Sequence, residues 1–102
     1  MPRKPKKMPP VHPGEVLKTE FLDELEISAY RLALDTGMPA SRIGRIVAGE
    51  RSVSADTALR LAKYFGTTPE FWLDLQSYYD LESTRDAVGR EIERNVKARA
   101  AG

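Results

Sequence analysis

The chain has 102 residues, 41% of them hydrophobic and 30% charged, with no cysteine and a formal net charge of +1. That length fits one small domain whose thin stability dimerisation would help, and the missing cysteines exclude disulfides and thiolate zinc sites. No apolar run approaches ~18 residues, which excludes a membrane span, and the basic start leads into Pro9, Pro10 and Pro13 rather than the apolar stretch of a signal peptide; the expected location is the cytoplasm.

Residues 1–11 read as a flexible basic arm: Arg3, Lys4, Lys6 and Lys7 stand among prolines with almost nothing apolar to bury. Such a run is ordinarily just solvated; the sharper reading has it touching DNA phosphate. Residues 15–26 turn acidic, residues 28–63 hold six Lys/Arg against three acids, and residues 64–82 hold four acids and no base. Signs segregated in this way can offer one basic face to nucleic acid despite the small net charge.

A first helix is expected over about Gly14 to Leu25, with Val16, Leu17, Phe21, Leu22 and Leu25 on one face. His12-Pro13 reads as a helix-start signal, and Glu15 stands where the helix dipole favours an acid. Ser28 can cap a second helix over Ala29 to Thr36, which Gly37 ends in a left-handed conformation. Pro39 suits the first turn of a third helix running to about Ala48 and stopping at Gly49. A fourth starts after the cap candidate Ser54 and ends at Gly66; a fifth has Thr68 as its cap and Pro69 at its first position. A last helix, about Ser83 to Ala98, aligns Val88, Ile92 and Val96, although Gly89 inside it costs about 1 kcal/mol relative to alanine. No strand alternation appears, so the fold class is all-α.

Two short helices joined by a glycine turn, "LALDTGMPASRIGRI", make a helix-turn-helix. Ala33 must be small where the helices cross, Gly37 supplies the positive φ, and Leu32, Met38, Ile43 and Ile46 face inward. Ala40, Ser41, Arg42, Gly44 and Arg45 are left pointing outward. In such units the second helix enters the major groove. There arginine can pair with guanine, serine with any base, and a small alanine can touch a thymine methyl. The plainer reading is a helical corner with two solvated arginines.

The stretch "SAYRLALDTGMPASRIGRIVAGERSVSADTALRLAKYFG" resembles the Xre/Cro-type (lambda repressor-like) helix-turn-helix proteins. The flanking "HPGEVLKTEFLDEL" and "TTPEFWLDLQSYYDL" are similar to the HigA/VapI branch, the antitoxins of toxin–antitoxin pairs. The likeness spans residues 12–81 and leaves 82–102 as a C-terminal helical tail. It implies a small five-helix domain, a homodimer that represses its own operon through a palindromic operator, and a RelE/HigB-like ribonuclease toxin as protein partner. It places base contacts at Ala40, Ser41 and Arg45, with Arg42 able to reach base or phosphate. Phosphate contacts fall on Ser28, with the start of the second helix, and on Arg51 and Ser52. A stand-alone regulator without a toxin is the alternative.

An enzyme is not expected. The single histidine, His12, starts a helix, and no nucleophile elbow or phosphate-cradling loop appears. Neither metal nor cofactor is implied. Phe71, Trp72, Leu75 and Tyr79 exceed the aromatic and apolar surface that one segment of a monomer core needs, so part of this cluster is expected at a two-fold dimer interface. Leu81, Val88, Ile92 and Val96 form a narrow stripe, read first as packing on its own domain or extending the dimer, and second as receiving the toxin.

Overall fold

The computed structural model describes residues 9–100. Among them are five α-helices and no strand: α1 (Pro13–Val16), α2 (Ala29–Thr36), α3 (Ala40–Val47), α4 (Ala55–Phe65) and α5 (Pro69–Asn95). A wide π-helical segment, Leu17–Asp23, continues α1. None of these helices is long and apolar enough to cross a membrane.

Three helix starts obey the same local chemistry. The hydroxyls of Ser28, Ser54 and Thr68 accept hydrogen bonds from the backbone N–H of Arg31, Thr57 and Phe71, each supplying an acceptor to a donor that the helix leaves orphaned. Gly37 ends α2 with φ of 74°, a conformation a side chain would strain. Pro39 lies one position earlier than expected. It is the extended cap residue of α3, and its carbonyl accepts from the Arg42 and Ile43 N–H groups.

The first helix departs from its sequence reading. α-Helical spacing places Leu25 with Leu17 and Phe21, yet Leu25 is 54% exposed. The wider winding bonds residues five apart, which brings Leu17 and Leu22 onto one buried line, and the Ile27 N–H closes on the Leu22 carbonyl. Ile27 then packs against the core in place of Leu25. Gly14 permits a very close approach: a Cβ there would stand 1.7 Å from the Ile46 carbonyl oxygen. The start of α1 thus lies directly on the end of α3.

The tail helix is not a separate element. No glycine or proline stands between Tyr78 and Ser83, and α5 runs unbroken for 27 residues through Gly89. The expected basic arm falls mostly on residues 1–8, outside the described residues. Its last part, Pro9 to Val11, lines an apolar groove with Val16, Leu75 and Tyr78.

Trp72 corrects the expected dimer surface. It is wholly buried within the protomer, its indole N–H donates to Thr67 Oγ1 (2.8 Å), and its ring packs on Phe21, Phe65 and Phe71. The aromatic surplus of α5 is absorbed by partners from the π segment and α4, so Trp72 has no surface left for another copy. Leu75 is half-buried against the core, Tyr79 is half-buried edge-on to His12, and Phe71 remains partly exposed.

Candidate nucleic-acid interface

α3 has two unlike sides. Leu32 of α2, Met38 of the turn, and Ile43 and Ile46 of α3 are all buried, which fixes α3 against α2. Ala33 is buried at the crossing. Ala40, Ser41, Gly44 and Arg45 are exposed. At roughly 100° per residue these four share one arc of the helix. The arc is nearly flat: two small side chains and a glycine, with Arg45 as its only long one. Arg45 makes no ion pair among the described residues, so its guanidinium is free to reach outward.

Ser28 stands beside this arc. It lines a shallow groove together with Ala29 at the start of α2 and Gly44 on α3. The first backbone N–H groups of a helix lack intrahelical acceptors, so this edge offers donors suited to a phosphate. Arg51 and Ser52 are exposed in the loop between α3 and α4, and Arg51 also has no ion-pair partner among the described residues.

Arg42 is placed differently from the expectation. It falls on the flank of α3 next to inward-facing Ile46, and its side chain is only 22% exposed. Its Nη1 donates to Asp56 Oδ1 at 2.8 Å. The same oxygen accepts from Arg60 Nε at 2.9 Å, and Arg60 Nη1 donates to the Thr36 carbonyl at the end of α2 (2.8 Å). These contacts, Arg60 first and then Arg42, hold the Asp56 carboxyl below its ordinary pKa. Asp56 and Arg60 were not expected at the site. Their i,i+4 spacing on α4 was readable, but the link to Arg42 spans 14 residues of chain and carries no local signal.

An all-α domain that displays one flat, arginine-bearing helix beside a helix start has the architecture of a helix-turn-helix protein. The helix-turn-helix family model matches residues 19–72. Virulence-associated protein I of Dichelobacter nodosus is 47% identical over 75 residues, covering 74% of this chain and 69% of that protein. Among solved structures, an addiction-module antidote protein of the HigA family from Coxiella burnetii superposes with a TM-score of 0.85 at 48% identity, covering 90% of this chain and all of the other. Pseudomonas aeruginosa antitoxin HigA, solved with the higBA promoter, gives a TM-score of 0.85 at 42% identity over 89% of this chain and 99% of its own. The chain belongs to the helix-turn-helix family and, within it, to the HigA/VapI antitoxins. That family consists of antitoxins and transcription regulators, not enzymes.

Proposed function

We propose that this protein is the DNA-binding antitoxin of a toxin–antitoxin pair. It acts as a homodimer, reads a palindromic operator with α3, represses its own operon, and binds and neutralises a RelE/HigB-like ribonuclease toxin. The observation that carries the DNA part is the exposed arc of Ala40, Ser41, Gly44 and Arg45 on a helix whose opposite side is buried. A flat arc lets the helix sit deep in the major groove, and unpaired Arg45 supplies a bidentate donor for a guanine edge. Ser28 and the start of α2, with Arg51 and Ser52, hold phosphates and set the register. The P. aeruginosa relative, solved with its promoter, supports this reading. The toxin part rests on family membership.

Arg45→Ala is expected to leave stability within ~0.5 kcal/mol, since the residue is exposed. Operator binding weakens by roughly 1–3 kcal/mol, with discrimination lost at one base position per half-site. Arg51→Ala instead weakens binding to operator and scrambled DNA alike and makes the salt dependence shallower. Titration of both variants against both DNAs at two salt concentrations separates these roles. Unchanged operator binding by Arg45→Ala would remove α3 as the reader. For the toxin, the adjacent gene is expressed with and without this chain. A harmless neighbour, or equal harm in both cases, leaves a stand-alone regulator.

A further inference from the structure

Arg42 is held in a position that does not satisfy it. Its Nε is buried and has no hydrogen-bond acceptor, while its Nη1 leans on a carboxylate that another arginine already holds. Arg60 does not depend on Asp56 for its place, because Thr36 anchors it to the end of α2. Asp56 stands in the first turn of α4, where the helix dipole stabilises a carboxylate. Arg42 can therefore leave without stranding the acid. Asp56 is 56% exposed, and ion pairs in such surroundings are weak and screened by salt. A phosphate offers the planar guanidinium a stronger, two-pronged partner and an acceptor for the orphaned N–H.

We propose that Arg42 is handed over from Asp56 to a backbone phosphate when α3 docks on DNA, with Arg60 staying behind to keep Asp56 paired. Asp56 and Arg60 are then positioning residues: they touch no DNA, yet they set how readily Arg42 is released. The position of Arg42 on the flank of α3, outside the arc of Ser41 and Arg45, fits a phosphate at the groove edge better than a base. This proposal rests on the DNA-binding reading above.

The test is a set of double-mutant cycles on the full chain, titrated against its own operator and against scrambled DNA at two salt concentrations. Arg42→Gln is expected to weaken binding to both DNAs equally and to lower the salt slope by about one per protomer. Arg60→Gln leaves Arg42 as the sole partner of Asp56 and should weaken binding at least about threefold, and Asp56→Asn should strengthen it by a similar factor. Both effects should vanish in the Arg42→Gln background. Charge alone would act equally in both backgrounds, so additive effects overturn the handover. A loss confined to the operator overturns the phosphate assignment. Thermal melts of every variant verify folding, and Asp56→Asn, at an exposed site, serves where Arg60→Gln loosens the turn. If the parent protein fails to footprint its promoter, the DNA-binding reading fails; if it footprints and the cycles are additive, only the handover fails.

Discussion

His12 Nδ1 accepts a hydrogen bond from the Gly14 N–H (2.9 Å), so the neutral ring must carry its proton on Nε2. A protonated imidazole has no lone pair at Nδ1 and loses this cap. Partial burial lowers the pKa of His12, and nearby Asp80 pulls the other way without cancelling it. The unfolded chain thus takes up this proton near pH 6.5, before the folded one does. The contribution of His12 to stability is complete above about pH 6.5 and declines as pH falls from there through the lowered folded value. His12→Asn keeps a side-chain acceptor at the cap and has nothing to titrate. Thermal melts between about pH 7 and 5 should show the parent losing stability relative to His12→Asn as the pH drops. Parallel curves would mean that the cap does not feel the proton. The residue scale was partly legible here: His12-Pro13 reads as a helix start, and the Gly14 hydrogen bond that sets the tautomer is local. The lowered pKa, however, comes from burial, where the Tyr79 ring of α5 stands edge-on to the imidazole, and no local pattern carries that contact.

At the scale of elements, what was legible followed from contacts within a few residues. The caps Ser28, Ser54 and Thr68 and the stops Gly37 and Gly66 act over one helical turn, and the structure places α2 and α4 between such a cap and such a stop and starts α5 after Thr68. What was not legible is decided by distant partners. The choice of Leu22 over Leu25 as a core residue depends on how the π segment meets the rest of the core, and Trp72 is enclosed by Phe21 and Phe65, which approach from elsewhere in the chain. Gln76 is a similar case. Inside α5 it reads as a surface residue, yet it is buried. Its Oε1 accepts from the Val53 N–H (2.8 Å), and its Nε2 donates to Asp80 (2.9 Å). It ties the first third of α5 to the loop that carries Arg51 and Ser52. Gln76→Leu has a similar volume but leaves the buried Val53 N–H without an acceptor, which should cost about 1–3 kcal/mol of stability in urea unfolding. A loss well below that range would mean that water replaces the amide.

At the scale of the molecule, α5 is about 40 Å long at 1.5 Å per residue, more than one small domain needs to close its core. Trp72 and Gln76 are its buried residues, and both lie in its first third. Farther along, Leu81 (55% exposed), Ile92 (48%) and half-buried Val88 keep apolar surface. Two operator half-sites about one DNA turn apart call for a two-fold dimer. We propose that this distal stripe supplies the interface: Trp72 is withdrawn into the core and Phe71 packs on Phe21 and Trp72, whereas the stripe lies beyond the last buried residue of α5. Light scattering of the parent at micromolar concentration should report twice the chain mass. Leu81→Asp with Ile92→Asp places charges on the stripe without disturbing the buried core, so the variant should remain helical yet scatter as a monomer. Each protomer keeps an intact α3, but the second half-site is no longer held at high effective concentration. Operator affinity should therefore fall by far more than loss of any one base contact, while binding to an isolated half-site stays unchanged. A parent that is monomeric both on and off DNA would end the dimer reading. A charged variant that remains dimeric would move the interface away from the distal part of α5.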